Sequence, residues 1–164
     1  TVVICGDVLH SRVARSNAWL LTKMGAEVRL VGPSTLLPRH QGMLPNSEYY
    51  YELLPALEDA DVVMTLRLQR ERMDQGLLTS VGEYRRMYQV NRETLAVAKP
   101  DCLVMHPGPI NRGVELDDYA ADGENSVISR QVENGIFVRM AALRWVFLPG
   151  AATAPEATPA GAQA

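Results

Sequence analysis

The chain has 164 residues, 47% of them hydrophobic and 21% charged, which suits one globular domain with a real apolar core. Its formal net charge of −3 argues against a general nucleic-acid binder, because phosphate recognition needs a basic surface. A local basic pocket stays open, since Arg67, Arg70 and Arg72 concentrate positive charge in one segment. No apolar stretch approaches the ~20 residues needed to span a bilayer, and the first residues lack the basic region and cleavage site of a signal peptide.

Val2 to Cys5 is a short apolar run followed by Gly6-Asp7, and reads as a strand. Ser11 to Met24 carries Val13, Ala14, Ala18, Leu20 and Leu21 among polar residues, the pattern of an amphipathic helix that Gly25 ends. Glu27 to Val31 is a second strand, closed by Gly32-Pro33, so the opening is a parallel βαβ unit. A loop with Pro38, Gly42 and Pro45 leads to a third strand at Tyr49 to Tyr51. Pro55 to Asp59 reads as a short helix, Asp61 to Leu66 as a fourth strand, and Val81 to Gln89 and Arg92 to Ala98 as two helices.

Cys102 to Met105 is the fifth strand, ended by His106-Pro107-Gly108-Pro109. Ser129 to Leu148 has apolar residues spaced for a long helix packed on the domain. The expected class is α/β, a doubly wound, Rossmann-like parallel sheet of about five strands with helices on both faces. From Ala151 to Ala164 the chain is Ala, Thr, Pro, Gly, Gln and one Glu, a composition that predicts a disordered tail. Cys5 and Cys102 both sit in apolar runs without a partner at metal-ligand spacing. They read as core residues of a protein in a reducing cytoplasm.

Ligands of such sheets bind beyond the carboxyl ends of the strands, so the residues just after each strand are the candidates. Gly6 to Arg12 lacks the G-x-G-x-x-G glycines of a dinucleotide site, and no cofactor or metal is expected. Arg12 falls in the first turn of a helix, where the helix dipole already favours an anion. After the fourth strand, Arg67 and Gln69 alternate onto one face. Arginine offers a planar fork for a carboxylate, and Gln69 supplies a further donor or acceptor. The prolines around Gly108 stiffen a turn whose carbonyls are free to accept from a ligand NH₂. His106 is either a general acid–base group or a structural hydrogen-bonding group. Two arginines, a glutamine and a rigid turn suit a small dicarboxylate better than a phosphate.

Gly6-Asp7-x-x-x-Ser11-Arg12-x-x-x-Ser16, Thr65-x-Arg67-x-Gln69-x-Glu71-Arg72 and His106-Pro107-x-Pro109-x-Asn111-Arg112-x-x-Glu115 occur in order. Together with Gln131-Val132-x-Asn134-Gly135-Ile136-x-Val138-Arg139, they resemble the catalytic chains of aspartate carbamoyltransferases over roughly residues 1 to 148. That resemblance implies an aspartate-binding domain of an enzyme that joins L-aspartate to carbamoyl phosphate, giving N-carbamoyl-L-aspartate and phosphate on the route to pyrimidines. It implies that Arg12 and Arg67 bind the aspartate carboxylates with Gln69 assisting. Gly108 and Pro109 then contact the carbamoyl group, and Arg72 supports the closed state between domains. It also implies a last helix that crosses toward the other domain, a cytoplasmic homotrimer of full-length catalytic chains, and possible regulatory or dihydroorotase partner chains.

The family's Ser-x-Arg-Thr-Arg and His-Pro-x-x-x-x-Gln phosphate-binding motifs do not occur in the chain. The expectation is therefore half of an enzyme, cut at a domain boundary and inactive by itself. Two alternatives stand beside it. One is a non-catalytic carbamoyltransferase-like binding or assembly subunit. The other is an ornithine-type carbamoyltransferase domain, whose His-Cys-Leu-Pro turn and Asp-x-x-x-Ser-Met-Gly loop this chain lacks.

Overall fold

The computed structural model describes residues 1–40, 42–44, 46–68 and 80–148. Four short runs rich in valine and other apolar residues form strands β1 (Val2–Cys5), β2 (Val28–Val31), β4 (Val62–Thr65) and β5 (Leu103–Met105). The more polar β3 (Ser47–Tyr50) takes one edge. The strands pair in the order β3-β2-β1-β4-β5, and every pairing is parallel. Register is uniform across the middle: Val2 lies beside both Val28 and Val62, and Cys5 beside both Val31 and Thr65. Central parallel strands are covered on both faces, which is why they read as continuous apolar runs rather than alternating ones.

Alternate residues of the strands feed two separate cores. Val3, Cys5, Val31, Val63 and Val104 meet Leu53, Ala56 and Leu57 of α2 (Leu53–Leu57), Tyr84 and Tyr88 of α3 (Val81–Tyr88), and Ala120 and Ala121 of α5 (Asp118–Asp122). Ile4, Val28, Leu30 and Met64 meet Ala14 and Ala18 of α1 (Arg12–Lys23) on the other face. Helices on both faces of a parallel sheet make this a doubly wound, Rossmann-like fold, as the sequence predicts.

Local signals set the helix starts. Ser11 caps α1 by accepting from the Ala14 N–H, and Ser80 caps α3 through the Glu83 N–H. Asn91 and Thr94 form a reciprocal capping box at the start of α4 (Arg92–Leu95). The short α5 was not anticipated. It follows the Asp117 cap, where the carboxylate accepts from the Ala120 N–H. Residues 125–127 lie along the outer edge of β5, with the Val104 N–H donating to Asn125 and the Val127 N–H donating to Val104. This pairing covers an edge that would otherwise be open.

The chain forms a first unit, Thr1–Val132, and a second that begins at Glu133. The last helix, α6 (Ile128–Phe147), forms as expected. Ile128 is its one buried residue, whereas Ile136, Phe137, Met140, Leu143, Trp145 and Phe147 are all more than half exposed. The predicted tail from Ala151 lies outside the described residues.

Both cysteines are free and buried. Burial pushes the Cys5 thiol up to about 12 and the Cys102 thiol up to about 11. Neither should react with a disulfide reagent at about pH 8 in the native chain, and both should react once denaturant unfolds it. A second prediction comes from the close approach of β1 and β2 at their carboxyl ends. A Cβ added to Gly32 would sit 2.6 Å from the Gly6 carbonyl oxygen, and backbone cannot swing aside as a side chain does. Gly32→Ala should lower stability by about 1–3 kcal/mol, read as a shift of the urea midpoint at unchanged slope.

Candidate functional site

The strand order reverses its direction of growth between β1 and β4, which places the crevice at their carboxyl ends. Here β1 runs into Gly6, whose φ of +126° is a conformation few other residues adopt. A Cβ at this position would lie 3.2 Å from both the Leu66 Cβ and the Leu66 carbonyl oxygen. Glycine thus lets the two loops leaving the crevice pass against each other.

The loop from β1 to α1 is held from within. Buried Asp7 accepts from the His10 backbone N–H at 3.3 Å, and its Oδ1 lies 2.8 Å from the His10 Nδ1. Arg15 donates back to the Leu9 carbonyl at 3.1 Å. These contacts fix the entry to α1, where Arg12 is the first helical residue and is exposed. The first turn holds no acidic residue, so nothing on the helix itself neutralises its positive end.

Beyond β4, burial alternates: Leu66 and Leu68 are in the core, and Arg67 between them is exposed. The expected sharing of one face by Arg67 and Gln69 falls partly outside the described residues. Gln69 and Arg72, the other residues predicted to act here, lie outside the described residues. Neither Arg12 nor Arg67 has an ion-pair or hydrogen-bond partner among the described residues.

The third strand end is the His106–Pro109 turn. Gly108 has a φ of +72°, the Gly108–Pro109 peptide is cis, and Pro109 is exposed. Among the described residues, the carbonyls of Pro107, Gly108 and Pro109 accept no hydrogen bond, so they are available to a donor.

His106 itself is fully buried, and the structural reading of it holds. Its Nδ1 accepts from the Gly108 N–H at 2.8 Å, and its backbone N–H donates to the Gln131 side chain at 2.9 Å. With Nδ1 accepting, the ring proton is assigned to Nε2, which faces Glu115 Oε1 at 3.3 Å in an alignment too poor for a full hydrogen bond.

Glu115 is also fully buried, and its Oε1 accepts from the Asn111 N–H at 2.6 Å. The Asn111 Nδ2 donates to the Leu68 carbonyl at 3.0 Å. Arg112 is turned away from any ligand role by Asp118 at 2.9 Å and Asp122 at 2.7 Å, and these carboxylates raise its pKa further. In return, the Arg112 guanidinium holds the Asp122 carboxyl below its ordinary value.

The residues singled out in the sequence therefore divide. Arg12 and Arg67 follow the two strands that flank the crevice, and Gly108 and Pro109 follow the next strand outward. Chemically, two exposed guanidiniums and a carbonyl-bearing turn suit a carboxylate ligand that also carries N–H donors. Among the described residues no cluster of His, Cys, Asp or Glu is built to hold a metal ion, and no helix is long and apolar enough to cross a membrane. The Asp7–His10 and Asn111–Glu115 contacts went unassigned in the sequence. Only the Asp-x-x-His spacing of the first hinted at a pairing. A separate cleft of about 780 Å³ opens between α4, α5 and the start of β5. Arg12, Arg67, Gly108 and Pro109 do not line it.

Comparison with known proteins identifies the family and the fold. The chain is 59% identical over 143 residues to the aspartate carbamoyltransferase catalytic subunit of Gluconacetobacter diazotrophicus, covering 87% of this chain and 44% of that protein. It is 59% identical over 145 residues to the protein of the same name from Sorangium cellulosum, covering 88% and 44%. The chain thus spans less than half the length of these relatives. Among solved structures, ornithine carbamoyltransferase from Pyrococcus furiosus superposes with a TM-score of 0.71 at 31% identity, covering 87% of this chain and 48% of that one. The enzyme of that name from Thermus thermophilus superposes at 0.72 with 24% identity, a likeness of fold. Residues 1–146 match the family described as aspartate/ornithine carbamoyltransferase, Asp/Orn binding domain, and the chain belongs to that family.

Proposed function

We propose that this chain is the aspartate-binding part of an aspartate carbamoyltransferase. Such an enzyme transfers the carbamoyl group of carbamoyl phosphate to the amine of L-aspartate, releasing N-carbamoyl-L-aspartate and phosphate for pyrimidine synthesis. The observation that carries the reading is the pair Arg12 and Arg67, exposed and without partners among the described residues. Arg12 stands at the start of α1 after β1, and Arg67 in the segment after β4, the two strands that flank the crevice. Each guanidinium takes one carboxylate of a dicarboxylic amino acid, which leaves the amine as the group free to react.

The mechanism follows from positioning. With both carboxylates held, the deprotonated amine attacks the carbamoyl carbon, the C–N bond forms, and the bond to phosphate breaks. The amine gives up one proton to the departing phosphate, which leaves as its protonated ion. The carbonyls of the Gly108–Pro109 turn hold the carbamoyl NH₂ by accepting its N–H groups, so the electrophile is oriented as well as the nucleophile. Gln69 adds to the aspartate grip and Arg72 to the closed state in this proposal. No covalent enzyme intermediate and no metal or cofactor enters it.

Phosphate has no assigned site among the residues named, and the curated relatives are more than twice as long as the matched region. A carbamoyl-phosphate-binding half completes the enzyme in this reading, and the exposed apolar residues of α6 are the surface that takes it up. Large contiguous apolar exposure of this kind marks an interaction surface. A homotrimer of complete catalytic chains in the cytoplasm, with regulatory or dihydroorotase chains as possible further partners, belongs to the same proposal. Aspartate is preferred to ornithine because the closely matching curated relatives bear the aspartate name. Ornithine also has an ammonium side chain that the two arginines would repel. Retained unpaired arginines likewise disfavour a purely scaffolding subunit.

Two outcomes are expected. Alone, the chain should form no carbamoyl-aspartate from carbamoyl phosphate and aspartate, and mixing it with an amino-terminal half from a relative should restore product. A well-folded mixture without activity would count against the proposal. In the assembled enzyme, Arg67→Ala and Arg12→Ala should each weaken succinate binding and raise KM for aspartate by about tenfold to a hundredfold, the loss of one charge-assisted grip. Unchanged succinate affinity in both variants would remove these arginines from the site.

A further inference from the structure

We infer that Asn111 is a positioning residue that couples the Arg67 segment to the Gly108–Pro109 turn, so that the two grips move as one. The inference rests on the functional reading above and deepens it. Four contacts in series make the connection. The Asn111 Nδ2 donates to the carbonyl of Leu68, the residue after Arg67 and 43 positions away in the chain, at 3.0 Å. The Asn111 backbone N–H donates to Glu115 Oε1 at 2.6 Å. That oxygen faces the His106 Nε2 at 3.3 Å, and the His106 Nδ1 accepts from the Gly108 N–H at 2.8 Å.

The interior links are rigid by burial. His106 and Glu115 are fully enclosed, so the middle of the series has a fixed position, while Gly108 at its outer end is half-buried. A buried carboxylate is costly to keep without partners, and Glu115 Oε1 here orients the backbone from which Asn111 reaches out. Arg67 is exposed and carries no tie of its own among the described residues. Its placement against the turn therefore depends on the backbone at Leu68, and among the described residues Asn111 is the side chain that hydrogen-bonds to that backbone.

A simple loop staple is the competing role, and the local geometry separates the two. The loop is already closed without the Asn111 side chain. The Val114 N–H donates to the Asn111 carbonyl at 3.0 Å and the Gly113 N–H to the Leu116 carbonyl at 2.7 Å. Arg112 adds ion pairs to Asp118 and Asp122. Removing the Nδ2 donor breaks the link to Leu68 and leaves these closures in place.

The test compares Asn111→Ala, Asn111→Asp and Arg112→Ala in the enzyme that joins this chain to its carbamoyl-phosphate-binding half. Asn111→Ala should raise KM for aspartate and lower kcat, with kcat/KM down by about tenfold to a hundredfold, as expected when a positioning contact is lost. Asn111→Asp keeps the size and the acceptor but not the donor, and should fall alongside it. Arg112→Ala weakens the same loop from its other side, and should lower the thermal midpoint while leaving both constants within about twofold. The inference is overturned if an active parent keeps its constants in Asn111→Ala, if Asn111→Asp restores them, or if Arg112→Ala reproduces the loss. A folded parent assembly without any carbamoyltransferase activity overturns the functional reading instead, and this inference with it.

Discussion

Everything at the proposed site depends on one feature of the sheet: β1 pairs with β2 on one side and with β4 on the other, both parallel and in the same register. The two loops leaving β1 and β4 must therefore diverge to opposite faces while starting from neighbouring backbones. The space between them is the crevice, and Gly6 keeps it passable because a side chain there would press on Leu66. Arg12 reaches the site by way of α1 on one face, and Arg67 directly from the end of β4. Both cations face outward because the apolar neighbours that flank them, Val8 and Ala14 on one side and Leu66 and Leu68 on the other, are claimed by the core.

Two kinds of polar group support this arrangement. Exposed ones act on ligands, and buried ones act on backbone. Asp7 pins the loop before Arg12, and Glu115 pins the loop after Gly108. A buried carboxylate loses its hydration, so it persists where N–H donors replace the water. In both loops a backbone amide is among the donors, with a histidine ring close by, which makes each carboxylate a template for loop shape. Arg112 illustrates the opposite economy: exposed, and fully engaged with Asp118 and Asp122, it stabilises α5 and has no capacity left for a substrate.

The last helix belongs to a different logic. Its sequence has a helical period, yet its apolar residues from Val132 to Leu148 are half or more exposed. A helix that is apolar over much of its surface and exposed among the described residues has the character of an interaction surface. Within the proposed function, that surface meets the half of the enzyme that binds carbamoyl phosphate. The same dependence accounts for the expected inactivity of the chain alone.

Much was settled by local order along the chain. The four apolar strand runs, the Ser11 cap and the Gly-ended first helix are short-range patterns, and they sufficed for a doubly wound parallel sheet. The ordered motifs around Arg12, Arg67 and Pro109 likewise sufficed for the family, because each lies directly after a strand. What the sequence could not determine was relational. His106 stood in it as a possible acid–base group, and only enclosure by the core and its bond to Gly108 made it structural. Asn111 and Glu115 were letters in a motif until folding brought Leu68, 43 positions earlier, against them. Periodicity showed α6 to be a helix, and the fold showed that its large apolar residues from Val132 onward are exposed among the described residues. Spacing along a chain reports on neighbours within a turn or a strand; hydrogen bonds across tens of residues, and burial itself, exist only once the sheet has closed around them.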